Sequence, residues 1–190
     1  MPNGANIYIN KVLMDFWHDM AYKYIPIKNE IIKKIFFIKK HLFHTSNNIL
    51  GILIRGTDYL VRKPKHHAIQ PDYKDVIKDT LDFDNKNKYD YIFLATEDEK
   101  IREEFIKKFP IKLKYLKNKK INYNYKKKKY LALNINVKGN INFTKIYLMN
   151  VIIVSQSLDI ICSRTNGSVG VFVLTNGFRN IKVYYIGNYD

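Results

Sequence analysis

The stretch Asn48-Ile-Leu-Gly-Ile-Leu-Ile-Arg-Gly-Thr-Asp-Tyr59 decides the fold. After Asn48, the six residues Ile49–Ile54 are apolar, β-branched or small, with no helical period. A short continuous apolar run of this kind reads as a strand buried on both faces. The run ends abruptly at Arg55, followed by Gly56, Thr57 and Asp58. The pattern then recurs. Tyr89-Asp-Tyr-Ile-Phe-Leu-Ala95 is a second buried strand, and Thr96-Glu-Asp98 closes it. Ile111–Leu116 reads as a third strand, Leu158–Ser163 as a fourth and Ile181–Ile186 as a fifth.

Helices fill the intervals. Pro71 suits the first turn of a helix whose apolar face is Tyr73, Val76 and Ile77. A helix after Asp98 buries Ile101, Phe105 and Phe109. It carries Glu103/Lys107 and Glu104/Lys108 as outward i,i+4 pairs. A further helix spans about Phe143–Ser157, and Arg164-Thr-Asn-Gly-Ser168 is a turn leading into a small-residue helix at Val169. Lys117–Gly139, including the Lys126–Lys129 run, is polar, basic and aperiodic and reads as a long surface loop or insertion. Strands alternating with helices specify an α/β fold, a Rossmann-like parallel sheet with helices on both faces.

Upstream, about Ile9–Phe43 is helical, with a break and restart at Pro26 and Asn29–Glu30. Val12, Leu13, Phe16 and Met20 form one apolar stripe, and Ile31, Ile32, Ile35 and Phe36 the next. The expected organisation is a helical N-terminal segment over 1–47 and a sheet domain over 48–190.

The net charge is +16 over 190 residues. Such an excess favours anionic partners: phosphorylated substrates, a membrane surface or nucleic acid. A composition rich in Lys, Asn, Ile and Tyr, of the kind an AT-rich genome favours, gives the same excess. The single cysteine, Cys162, excludes an internal disulfide and lies in an apolar stretch. No signal peptide and no apolar run of spanning length are visible. A cytoplasmic protein is expected, with peripheral contact at the inner face of a membrane through basic surface.

In an open parallel sheet, ligands bind beyond the carboxyl ends of the strands. Three polar segments fall there: Arg55–Tyr59, Thr96–Asp98 and Thr165–Ser168. The planar fork of Arg55 suits a diphosphate. Gly56 allows close backbone approach, and Thr57 and Asp58 can cap the turn or bond the ligand. The structural alternative is an Arg55–Asp58 pair that orients the loop. Thr165, Asn166, Gly167 and Ser168 precede a helix, whose N-terminus attracts phosphate, although a plain helix cap has the same sequence. Glu97 and Asp98 can accept bonds from sugar hydroxyls, or cap the following helix. His66 and His67 follow the Arg55 loop, and His67 is the candidate general base. The pair lacks the further ligands of a zinc site. Neither G-x-x-x-x-G-K-[ST] nor G-x-G-x-x-G follows a strand.

Four blocks carry a resemblance. Gly51-Ile-Leu-Ile-Arg-Gly-Thr-Asp58 resembles the strand and R-x-T-D turn of the α1,6-fucosyltransferases, including the nodulation-type bacterial enzymes. Tyr91-Ile-Phe-Leu-Ala-Thr-Glu-Asp98, His67-Ala-Ile-Gln-Pro71, and Val154-Ser-Gln156 through Cys162-Ser-Arg-Thr-Asn-Gly-Ser168 are similar to that family's acidic-pair strand end, histidine–proline link and helix–strand–turn segment. The same blocks resemble bacterial surface-polysaccharide proteins of unassigned specificity. The order and spacing match from about Ile49 to Phe172.

The resemblance implies the nucleotide-binding half of a GT-B glycosyltransferase. It implies GDP-fucose as donor, inversion at the anomeric carbon, a cell-surface glycan as acceptor, and neither metal nor cofactor. Arg55 would then hold the β-phosphate, Thr165, Asn166 and Ser168 would complete the diphosphate pocket, and Glu97 and Asp98 would lie near the donor. Three positions depart from the family: Leu53 replaces a histidine, Gly56 a second arginine, and Asn150 falls where an acid reads guanine. The proposed catalytic acid of the family falls near Lys63. Two other expectations remain beside transfer: a non-catalytic nucleotide-sugar-binding fragment, and a basic nucleic-acid-binding module.

Overall fold

A computed structural model describes residues 6–117 and 141–190. The expected loop beyond Lys117 therefore lies outside the described residues. The elements follow in the order α1 (Lys11–Tyr24), α2 (Asn29–Phe43), β1 (Ile49–Leu53), α3 (Thr57–Arg62), α4 (Tyr73–Asn87), β2 (Tyr91–Ala95), α5 (Glu99–Lys108), β3 (Leu113–Lys114), α6 (Ile141–Ser155), β4 (Asp159–Ser163), α7 (Asn166–Leu174) and β5 (Ile181–Tyr184). The five strands form one parallel sheet in the order β3-β2-β1-β4-β5. The α/β, Rossmann-like reading of the sequence describes this architecture.

Alternation within β1 divides the core. Leu50, Ile52 and Ile54 join α4 and α5 through Val76, Ile101 and Phe105. Ile49 and Leu53 join the opposite cluster with α6 and α7, which contains Ile153, Val171 and Phe172. Gly51 is held to its size on that second face. A Cβ there would come within 2.7 Å of Ser157 Oγ and 3.1 Å of Val154 Cγ1. Helices thus cover both faces, and α1 and α2 add an outer layer against α7 and α6.

Several local expectations are corrected. Pro71 lies outside its helix, because Asp72 is the N-cap and accepts from Lys74 N at 2.9 Å. The Arg55–Gln70 segment contains the short helix α3. Lys107 pairs with Glu104 at 2.6 Å, one turn apart at i,i+3, rather than with Glu103. The apolar stripes of the first two helices are also displaced. α1 buries Met14 and Ala21, and His18 donates from Nδ1 to the Val173 carbonyl at 3.0 Å. α2 buries Ile31, Ile35 and Phe43. Val12, Phe16, Ile32 and Phe36 remain exposed.

The amino-terminal edge of the sheet is closed by polar bonds. Asp159, fully buried at the start of β4, accepts from Arg179 Nη2 at 2.5 Å, Arg179 Nε at 3.2 Å and Asn180 N at 2.8 Å. The Tyr89 hydroxyl donates to the same carboxylate. Burial disfavours the Asp159 charge, but the bonds from Arg179, Tyr89 and Asn180 outweigh it and hold the carboxyl below its ordinary value. A lowered folded pKa contributes stability that is complete above the ordinary aspartate value of 3.8 and fades as pH falls through the folded value. Arg179→Ala should therefore destabilise the fold at neutral pH. The gap to the parent protein should close in urea melts below a pH of about 4. A gap that persists unchanged in acid would show that Arg179 acts through packing instead.

Candidate functional site

The sheet topology creates a crevice. From β1 the chain moves to β2 on one side and, after β3, returns to β4 on the other side of β1. The switch in direction leaves a gap between the β1 and β4 ends, where ligands of this fold class bind. The register sets which residues meet there. Leu53 is level with Ala95 and with Cys162, so Arg55, Glu97 and Arg164 emerge from three adjacent strands at one height.

Arg55 is half-buried. Its guanidinium lies 4.2 Å above the Tyr59 ring, a cation–π contact. Its Nε is 4.0 Å from Glu97 Oε1. The same Glu97 oxygen accepts from Gly56 N at 2.9 Å, so this carboxylate holds the loop. The side chains of Thr57 and Asp58 are outside what the structure describes. Their backbones open α3.

Gly56 has a structural reason. The Asp98 side chain packs against this glycine, and its Oδ2 would lie 2.5 Å from an added Cβ. Asp98 is buried and caps α5, accepting from Ile101 N at 3.1 Å, while Asp98 N donates to Thr96 Oγ1 at 3.2 Å. Its carboxylate is thus turned to helix capping.

The second polar turn is similar. Thr165 is the N-cap of α7 in a reciprocal capping box: Ser168 N donates to Thr165 Oγ1 at 3.1 Å, and Thr165 N donates to Ser168 Oγ at 2.8 Å. Ser168 is fully buried, and its hydroxyl is 2.9 Å from the Tyr8 hydroxyl. Asn166 and Gly167 occupy the first turn of α7.

Two residues of α6 complete the wall. Asn150 is buried, and its Oδ1 has no hydrogen-bond partner among the described residues. It lines a small cleft with Leu53, Thr96, Glu97 and Tyr147. A Cβ at Gly167 would lie 2.4 Å from the Tyr147 hydroxyl, which places that phenol over the start of α7. Burial pushes the Tyr147 hydroxyl above its ordinary pKa, while the charge of Arg55 opposes the rise and Glu97 and Tyr59 add to it.

His67 is exposed and reaches this group indirectly, its Nδ1 lying 3.1 Å from the Tyr59 hydroxyl. His66 is exposed with φ of 63° and its N–H donates to the Tyr189 carbonyl. Cys162 is buried, and burial raises its thiol pKa. Among the described residues, no group of three or more His, Cys, Asp or Glu side chains is placed to hold a metal.

The sequence reading took Tyr59 as the end of the Arg55–Tyr59 segment without giving it a role, and it missed Tyr147 and Tyr8. Tyr147 is one of 15 tyrosines and sits in no motif. Tyr147 precedes Asn150 by three, the spacing of one helix face, and that was the available signal.

No protein-family model matches the chain, and no curated protein matches its sequence. Solved structures do. The chain is similar to POFUT1 in complex with GDP-fucose, with a TM-score of 0.58 and 5% identity over 93% of this chain and 51% of that one. It is similar to POFUT1 in complex with GDP, with a TM-score of 0.59 and 7% identity over 93% of this chain and 52% of that one. The fold is that of these fucosyltransferase, GT-B-like structures. The chain spans about half their length.

The packing of Gly56 yields a test. Gly56→Ala should push Asp98 off its cap and cost about 1 kcal/mol or more in urea denaturation. Asp98→Ala should cost a similar amount, and the double variant scarcely more than either. Additive losses would show that the two residues act separately.

Proposed function

We propose that the chain is the nucleotide-sugar-binding half of a glycosyltransferase of fucosyltransferase type, with GDP-fucose as donor and a cell-surface glycan as acceptor. One observation carries this reading. Arg55, the start of α7 and the Asn150–Tyr147 wall converge at the β1–β4 crevice of a fold shared with POFUT1 structures that hold GDP-fucose or GDP.

Each part then has a task. The diphosphate lies between Arg55 and the first turn of α7, whose backbone N–H groups and partial positive charge favour an anion. Asn166 and Gly167 contribute backbone, while Thr165 and Ser168 fix the turn that presents it. Glu97 and Thr96 border the donor. Asn150 offers its carbonyl oxygen to a donor N–H or hydroxyl. An acceptor hydroxyl attacks the anomeric carbon as the bond from that carbon to the β-phosphate oxygen breaks. GDP leaves with the electron pair, and the acceptor proton passes to a base. His67 is the base this chain offers, and it is linked to Arg55 through Tyr59. Arg55 offsets charge growing on the diphosphate, so neither metal nor cofactor enters the scheme.

One second reading stands beside it, a domain that binds a nucleotide sugar without transferring it, since the candidate base His67 is exposed and reaches Arg55 through the Tyr59 hydroxyl. A panel of GDP- and UDP-sugars separates the two readings. Sugar release or transfer supports the first, and binding alone the second. In calorimetry, GDP should bind, and Arg55→Ala should weaken binding by about 10- to 100-fold with the melting temperature held. Unchanged affinity removes Arg55 from the site, and tight RNA binding with no GDP competition replaces both readings with a nucleic-acid one.

A further inference from the structure

The outer surface of α1 and α2 is apolar where a water-facing layer should be polar. On α1, Val12, Phe16 and Met20 recur at i+4 spacing, opposite the residues that dock on α7, and Ile9 just before the helix continues the row. Val12 is 79% exposed and Phe16 53%. On α2, Phe36 and Phe37 are 64% and 68% exposed, although Ile31 and Ile35 on the same helix are buried. A groove of about 660 Å³ opens between the end of α1 and α2, with Ile25, Ile32 and Phe36 on its wall and Lys39 and Lys40 on its rim. Exposed apolar residues at this density mark an interaction surface.

Charge selects the partner. Between Lys11 and Phe43 there are seven lysines and three carboxylates. Two of those carboxylates are engaged: Asp15 with Lys11 at 3.5 Å, and Glu30 with Lys145 at 3.0 Å. Lysine is depleted from the cores of protein–protein interfaces, yet here Lys33 and Lys40 alternate with Phe36 and Phe37. A second copy of this chain in a two-fold contact would set lysines against lysines. Aromatic residues interleaved with lysines are the composition of helices that lie in a bilayer interface, where the rings enter the headgroup region and the ammonium groups reach anionic lipid. No helix among the described residues is long and apolar enough to cross a membrane.

We propose that the α1–α2 face docks peripherally on an anionic lipid bilayer. The single tryptophan supplies the readout, since Trp17 is partly exposed on α1 and packs edge-on against Phe16 at 5.5 Å. The full chain should sediment with vesicles of phosphatidylcholine carrying about 30% phosphatidylserine, and Trp17 emission should shift to the blue. Binding should fall at least tenfold, roughly, when NaCl is raised to about 1 M, where the Debye length is near 3 Å. Phe36→Ser with Phe37→Ser should abolish the shift. Lys33→Glu with Lys40→Glu should weaken binding by about tenfold or more, with circular dichroism melts unchanged in both variants. Equal binding to neutral vesicles, no vesicle binding, or full binding by both variants would overturn the proposal. So would a concentration-dependent dimer that the Phe36 and Phe37 substitutions dissolve.

Discussion

Strand β1 is paired on both edges and buried on both faces, and the rest of the molecule is arranged around that constraint. Its backbone groups are taken by β2 and β4, and its side chains by the two cores. Nothing polar can be accommodated along it without a partner. The first polar group the chain can place is therefore at the exit, which is Arg55. Because β1 sits at the switch between outward and returning connections, that exit also borders the crevice. The arginine's place follows from the strand, and the crevice follows from the order of the strands.

The loops at this edge then divide their polar groups between two uses. Asp98, Thr165 and Ser168 are consumed in capping α5 and α7. Glu97 spends one oxygen on Gly56 N beside Arg55. These bonds keep strand ends and helix starts in fixed relation, since an uncapped helix terminus leaves orphan N–H groups. Beside them at this edge stand the backbone at the start of α7, the Arg55 guanidinium, the Tyr147 phenol and the Asn150 amide. Asp98 thus takes the capping role that the sequence allowed beside sugar binding, and Glu97 ties the Arg55 loop to the end of β2.

The strands were legible because parallel strands buried on both faces leave unbroken apolar runs, as in Gly51–Ile54 and Ile92–Ala95. Arg55 was legible because it interrupts one. The α1 and α2 faces were not, because apolar residues occur on both sides of each helix and periodicity alone could not say which side meets α6 and α7. Val12, Leu13 and Phe16 fit a helical stripe as well as Met14 and Ala21 do. Tyr147 escaped notice since α6 is apolar nearly all round, so a face directed at the crevice has no contrast. The Tyr8–Ser168 bond joins residues 160 apart in sequence, and no local pattern can encode that.

The two edges of the sheet show how position decides what an arginine does. Arg179 meets a carboxylate with no solvent exposure at 2.5 Å, in a cluster with Tyr89 and Asn180 that also fixes the entry to β5. Asp159 needs this partner, because an isolated charge at that depth would be costly. Arg55 stands at the opposite edge, half-buried over an aromatic ring and 4.0 Å from Glu97 Oε1, which also accepts from the Gly56 N–H. The first arrangement neutralises a buried charge and serves the fold. The second holds a guanidinium at the mouth of a crevice, stacked on Tyr59. The two roles are thus separated along the strands. That separation follows from the strand order, which sends the sheet's two ends to different chemistry.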